Sequence, residues 1–397
     1  MIPETRDRYN RQFSVEKYLA FMEGLDRVYP GAIQFRIAET PVFIPKDLGN
    51  RILSAGEDII RVIRQPDFRD LTAEAVPPTL KVPGENDFCE FITLDFAICR
   101  DEQGTLVPRL IELQGFPTMF AFQALLADKY REYFQIPDNL YNYFSGLGKD
   151  SYLDLFRRIL LGKYAPEEVI LLEVQPLKQK TRVDFYCTES ISGIHTVCIT
   201  ALIQEGHHLF YLLEGKKTRV RRIYNRVIFD DLEQQKKDLG AFVDLTQDLD
   251  VEWVPHPNWF YRISKFTIPL IHSPYVPRAY FLDKMEVVPQ DLGNYVLKPL
   301  FSFAGQGVLI DVTRKDIDAV KDPSNWILQQ KVEYAEVIKT TTTRAKCEVR
   351  MIYFQENGGS FPIPVNNLAR LSRGKMIGVR YNADQDWVGG SICFFEK

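Results

Sequence analysis

Cysteine is scarce and scattered. The six (Cys89, Cys99, Cys187, Cys198, Cys347, Cys393) lie far apart with no Cys-x-x-Cys pair. That excludes a disulfide scaffold or a zinc ribbon and leads us to expect a reducing, cytoplasmic setting. Histidine is scarcer, five residues including the pair His207–His208 and no His-Glu-x-x-His, so a zinc site is not expected. No run of roughly eighteen apolar residues occurs, and the N-terminal stretch is too polar for a signal peptide, so neither a membrane span nor export is expected. Neither sign of charge dominates: 49 basic against 53 acidic side chains leave −4, which argues against a broad nucleic-acid footprint. The basic cluster Lys216, Lys217, Arg219, Arg221 and Arg222 alternates with Val220 and Ile223, the pattern of a solvated strand face. With 45% hydrophobic and 26% charged residues among 397, the chain is of globular type and long enough for roughly two or three domains.

Two common phosphate cradles are missing as well, since neither GxxxxGK[ST] nor GxGxxG occurs. What is present is Tyr295 to Asp311, YVLKPLFSFAGQGVLID. It reads as one strand ending in Lys298, a loop with Gly305 and Gly307 flanking Gln306, and a second strand from Val308 to Ile310. Glycines at alternate positions let a backbone approach an anion and turn its N–H groups toward it, and Lys298 adds a point charge. That suits a polyphosphate. An ordinary hairpin with a loose turn has the same pattern.

Earlier in the chain, Ser14 to Leu25 and Leu48 to Arg64 are helix-compatible. FCEFITLDFAICRDEQGTLVPRLIELQGFPT then reads as two strands around a turn from Asp101 to Gly104. Asp95 sits between Leu94 and Phe96, and Glu112 between Ile111 and Leu113; period two places Gln114 beside Glu112 on one strand face. Carboxylates with a neighbouring amide make a hard oxygen site of the kind Mg²⁺ takes, and an exposed edge strand would look similar. Phe120 to Phe134 and Asp150 to Leu161 read as helices, the second with Asp150 as N-cap and Gly162 as stop. Residues 163 to 250 read as a separate α/β unit: a strand Val169 to Val174, a helix Thr181 to Ile191, a strand Val197 to Ile203, and a hairpin Leu209 to Asn225. Arg226 follows at once and either reaches a cleft or stays on the surface. Prolines then punctuate a connecting region in which ISKFTIPLI sets Lys265 among apolar residues, snorkelling or paired with an anion. Thr313 caps a short helix, WILQQKV and EVRMIYF are strands, and Glu348 and Arg350 share a face.

These pieces, in this order, resemble the ATP-grasp superfamily, and more closely its circularly permuted branch typified by the synthetase domain of glutathionylspermidine synthase. The resemblance covers residues 88–125 and 255–397. It implies an α/β (α+β) fold, a circularly permuted ATP-grasp with an added pre-ATP-grasp-like α/β subdomain. The units are 1–150 carrying the metal motif, 151–254 on the substrate side, and 255–397 binding nucleotide. VLKPLFSFAGQGV is similar to the family's Lys-Pro strand and glycine-rich loop, which implies that Lys298, Ser302, Gly305, Gln306 and Gly307 contact ATP. ISKFTIPLI implies a second ATP-contacting lysine, Lys265, and WILQQKV a hinge strand with Gln329 and Gln330 beside the adenine. LDF followed by IELQGFPT resembles the branch's metal motif, so Asp95, Glu112 and Gln114 are expected to hold Mg²⁺. Gln114 stands where that family has asparagine. Unpermuted relatives would instead nominate Glu348 with Asn366 or Asn382. Arg370, helped by Arg350, falls where a family arginine meets the transferred phosphoryl group.

The implied activity is an Mg-ATP-dependent carboxylate–amine ligase working through an acyl phosphate, on small-molecule substrates such as a peptide or polyamine. The charges fit that task, because phosphoryl transfer is catalysed mainly by positioning and charge stabilisation. Two other readings stand beside it: a nucleotide-binding scaffold that has lost turnover, which Gln114 favours, and an ATP-grasp phosphotransferase.

Overall fold

The computed structural model describes residues 1–301, 306–374 and 385–397. Its largest sheet is antiparallel and joins strands from both ends of the chain. Phe91–Arg100 lies one strand in from its edge, buried at every position but the last. The run FITLDFAIC supplies the β-branched and aromatic side chains that a two-sided buried strand needs. On one side it pairs with Leu106–Gln114 around the expected turn, and on the other with Arg344–Phe354, followed by Ile363–Ser372 and Gly389–Ser391. Residues 1–150 and 255–397 therefore share one sheet.

One face of this sheet carries the helix Lys46–Ile63, whose Leu48, Ile52, Ala55, Ile59 and Ile60 are buried. Those positions recur at helical spacing, so one stripe meets the sheet. At Gly56 a Cβ would lie 1.8 Å from the Tyr353 hydroxyl, so only glycine lets the helix settle there. On the other face, Phe91 and Phe354 pack with Phe120 and Phe156 of the helices Phe120–Tyr133 and Lys149–Leu161. Period two puts Asp95 on the face of Phe91, and Glu348 and Arg350 on the face of Phe354. The aromatic cluster thus occupies one part of that face and the charges the next.

A second sheet is wholly parallel, in the order Glu252–Val254, Arg222–Asn225, Val169–Glu173, His195–Cys198. The chain passes from Val169–Glu173 to one neighbour through the helix Arg182–Ser192, and later to the other. A third, antiparallel sheet holds Ala279–Phe281, Trp326–Gln330, Tyr295–Pro299 and Leu309–Ile310. The expected hairpin is there, with Val296 opposite Ile310 and Leu297 opposite Leu309.

Several expectations need correction. Gly148, not Asp150, precedes the helix Lys149–Leu161, while Gly162 ends it with φ +57°. The stretch Val197 to Ile203 splits between two strands across a single 3₁₀ turn, Ile199–Ala201. The hairpin from His208–Leu213 ends at Val220, and Arg222–Asn225 leaves for the parallel sheet. Arg222 anchors that departure: its guanidinium donates to the Leu160 and Ile159 carbonyls and pairs with Glu252. Phe229–Leu239 is a helix that the sequence reading did not anticipate. Of the basic cluster, Lys216, Lys217 and Arg221 lie on the solvated face expected, whereas Arg219, paired with Asp250, and Arg222 are largely buried. Among the described residues no helix is long and apolar enough to cross a membrane.

Candidate active site

Sheet register brings the charges together. Asp95 lies opposite Glu112 on one side and Arg350 on the other, and Glu348 lies opposite Arg370. Arg350 grips Asp95 with two donors, Nε to Oδ1 and Nη2 to Oδ2, both at 2.6 Å. This is the bidentate fork that planar guanidinium and carboxylate favour. Arg370 Nη2 donates to Asp95 Oδ2 at 2.5 Å and to Glu348 as well. The Tyr334 hydroxyl donates to the other Glu348 oxygen at 3.2 Å. Asp95 is 1% exposed, Glu348 4% and Arg350 8%, so the network is dry and its charges are strongly felt.

A bulge adds the lysines. The register steps from Asp95 opposite Glu112 to Phe96 opposite Leu110, which leaves Ile111 as the extra residue. Its freed carbonyl accepts from Lys298 Nζ at 3.1 Å, and Lys298 also donates to Gln329 Oε1 at 2.6 Å. Immediately after the Glu112 strand, the Gly115 N–H donates to the Ile263 carbonyl at 2.8 Å. A Cβ there would meet the Trp259 carbonyl oxygen at 2.6 Å, so this approach requires glycine. It delivers Lys265, buried, to within 3.0 Å of Glu112. Two lysines from separate segments thus converge on the strand that carries Glu112.

Burial sets the electrostatics and the partners decide the signs. Burial works against the Asp95 charge, but Arg350 and Arg370 outweigh it and hold the carboxyl below its usual range. Burial likewise opposes Glu112, where Lys265 prevails and the carboxyl is held low. For Glu348 burial wins, with Asp95 adding to it against Arg370, and the carboxyl is raised. Burial pulls the Lys298 ammonium down to about 8, against Glu112 and with the help of Lys265. Burial would also lower Arg370, but Glu348 and Asp95 more than offset it.

The residues nominated from sequence therefore divide. Asp95, Glu112, Lys265, Lys298, Gln329, Arg350 and Arg370 are brought together. Gln114 sits half-buried opposite Thr93, one step along the same strand face. Gln330 and Gln306 are exposed, and neither they nor Gly307 bonds the cluster. Ser302, Gly305 and Asn382 lie outside the described residues. Asn366 is buried against Asn142, four residues from Arg370. The early and late metal alternatives meet, because Glu348 lies in the cluster with Asp95. Tyr334 was missed: it sits in a loop with no periodicity to mark it.

Both Asp95 oxygens are already held by guanidiniums, and among the described residues no group of three His, Cys, Asp or Glu side chains is arranged to hold a metal ion. The expected trio does not fit a divalent ion at Asp95.

A second feature lies at the carboxyl ends of the parallel strands. The chain leaves Val169–Glu173 toward opposite sides of the sheet, which makes the boundary with Arg222–Asn225 a topological switch point, where open α/β sheets open a crevice. Glu173 ends its strand there at 8% exposure, and burial pushes its carboxyl up to about 7 against Arg226. Arg226 stacks 4.8 Å over the Phe116 ring and donates to the Pro117 carbonyl at 2.6 Å. Phe116 and Pro117 directly follow Gln114-Gly115, so the loop that Arg226 holds continues the strand that carries Glu112. Asp184 holds the same loop, accepting from the N–H groups of Met119 and Phe122. Sequence reading missed Glu173 and Asp184; the signal for the first was an ionisable residue closing the apolar run VILLE.

No family model matches the chain, and no curated protein matches it in sequence. Among solved structures, it is similar to a glutathione synthetase-like effector from Globodera pallida in its apo form. The TM-score is 0.61 and the identity 12%, over 90% of this chain and 94% of that one. At that identity the likeness shows the fold alone: a mixed α/β chain of glutathione synthetase-like architecture.

Proposed function

We propose that the chain is a circularly permuted ATP-grasp protein and an ATP-dependent carboxylate–amine ligase. The observation that carries this is the convergence of Lys265 and Lys298, from two separate segments, on the strand of Glu112, which lies opposite Asp95 of a buried arginine–carboxylate network. In this reading the triphosphate lies along Lys298 and Lys265, and the adenine lies near Gln329 at the sheet hinge. Arg370 faces the γ-phosphoryl group. A substrate carboxylate oxygen bonds to the γ-phosphorus as the β–γ bridging bond breaks, and ADP leaves. The amine nitrogen then attacks the acyl carbon, the bond to the phosphate oxygen breaks, and phosphate and the ammonium proton depart. Fixed cations stabilise the charge that accumulates in the first step, and a closed cleft protects the acyl phosphate from water. The switch-point crevice at Glu173 and Arg226 supplies the substrate side. Any Mg²⁺ arrives on the phosphates, and no step here depends on a protein ligand set for it. Six free cysteines, five of them buried, suit the reducing cytoplasm.

A catalytically silent nucleotide-binding scaffold is the second reading, favoured by the closure of Asp95 and Glu348 within ion pairs. Purified protein given Mg-ATP with a carboxylate and amine library separates the two: ADP release that needs both substrates supports the ligase, and ATP-dependent thermal stabilisation without turnover supports the scaffold. Lys298→Ala should weaken ATP binding by roughly tenfold to a hundredfold, the worth of one charge-assisted contact. Unchanged affinity would remove both readings.

A further inference from the structure

We propose that Asp95 is a positioning residue for the arginine pair and not a ligand of a divalent ion. The inference rests on the nucleotide-binding reading of the cleft and adds a division of labour within it. A carboxylate poised for a metal presents an oxygen to open space. Asp95 presents none: Oδ1 is taken by Arg350 Nε, and Oδ2 is shared by Arg350 Nη2 and Arg370 Nη2. Arg350 is pinned by both donors and sits 8% exposed at the centre of the sheet. Arg370, whose side chain is 28% exposed, shares the Asp95 oxygen and also pairs with Glu348. It is therefore the arginine still open to an incoming anion, held between two fixed carboxylates.

Charge bookkeeping agrees. The cluster has three carboxylates, Asp95, Glu112 and Glu348, against four cations, Lys265, Lys298, Arg350 and Arg370, for a formal balance of +1. A bare dication entering such a site meets net repulsion and would have to displace a bidentate guanidinium. A divalent ion would enter only as a complex with phosphate, and Glu112, whose side chain is 22% exposed, and the half-buried Gln114 would be the residues left to hold it.

The test is ATP binding by isothermal titration across a series of Mg²⁺ concentrations, for the wild type, Asp95→Asn, Arg350→Lys and Glu112→Gln. If Asp95 positions the arginines, Asp95→Asn weakens ATP by about tenfold at every Mg²⁺ concentration and leaves the Mg²⁺ midpoint within about twofold of wild type. Glu112→Gln moves that midpoint upward. Arg350→Lys keeps the charge, breaks the fork and frees an aspartate oxygen, so it decides the matter even where Asp95→Asn does not fold. For Asp95→Asn, weaker ATP binding with an unmoved midpoint supports positioning, and a midpoint shifted to higher Mg²⁺, as loss of a ligand requires, overturns it; for Arg350→Lys, an unmoved midpoint supports positioning and a lower one overturns it. Recovery of full ATP affinity by Asp95→Asn at saturating Mg²⁺ also overturns it. Absence of ATP binding by the wild type sinks the nucleotide reading itself, a result distinct from a shifted midpoint.

Discussion

The central sheet and the parallel sheet both bury carboxylates, and they treat them in opposite ways. Across the central sheet each acid has a cation in direct contact: Asp95 has two arginines, Glu348 has Arg370, and Glu112 has Lys265. At the parallel sheet's switch point, Glu173 accepts a hydrogen bond from the neighbouring Val174 N–H at 2.7 Å, and Arg226, whose Nη1 donates to the Pro117 carbonyl, acts on it electrostatically. Asp95 and Glu112 therefore stay ionised at neutral pH, and the cluster offers a fixed field. Glu173 titrates near neutrality and offers a proton. A fixed field suits the binding of a charged group, whereas a titrating acid suits contact with a substrate whose own protonation changes.

The sharpest way to break the comparison is to remove one partner from the paired region. Arg350→Met leaves Asp95 buried with only Arg370, and losing half of a buried pair typically costs about 3–5 kcal/mol. Urea unfolding of this variant should show a loss of that order. The double change Asp95→Leu with Arg350→Met should recover much of it, because no uncompensated charge remains. If the single change proves as mild as the double, the network is not the dry, coupled one described here.

The unpaired region should respond with the opposite sign. Glu173 has its folded pKa raised from 4.5 to about 7, so between those values the folded state binds more protons than the unfolded state. Its contribution to stability is then greatest below about pH 4.5 and is lost as pH rises through 7. Glu173→Gln removes that dependence. It should stabilise the protein by an amount of order 2 kcal/mol at pH 8, and by little at pH 5. Denaturant midpoints at the two values measure this, and equal midpoint changes would mean that Glu173 is solvated or paired.

Both regions were legible in the sequence to unequal degrees, for a physical reason. The hairpin at Lys298, the strands around Asp95 and Glu112, and the shared face of Glu348 and Arg350 follow from period two alone, which fixes which side chains lie together. The bulge at Ile111 was not legible. It is a register slip between two strands, with no residue type to mark it, and it decides which carbonyl Lys298 reaches. Partner choice was hidden too: acids beside an amide read as metal ligands until the Arg344–Phe354 strand places Arg350 against Asp95. The sheet switch after Val220 escaped notice because Arg222 finds its anchors at Leu160 and Glu252, far away in sequence.

Gly115 is where these local patterns become one site. It joins the Glu112 strand to the Phe116-Pro117 loop beside Arg226, and its N–H holds the segment that carries Lys265. Gly115→Ala puts a methyl group 2.6 Å from the Trp259 carbonyl oxygen, a backbone contact that cannot rotate away. The 259–265 segment must shift, at a cost of about 1–3 kcal/mol for overpacking. Because Lys265 moves with that segment while Lys298 is held separately by Gln329, ATP affinity should fall by less than in Lys298→Ala, and the titration of Glu173 should stay in place. A fall equal to that of Lys298→Ala would mean that the two lysines act through one segment rather than two.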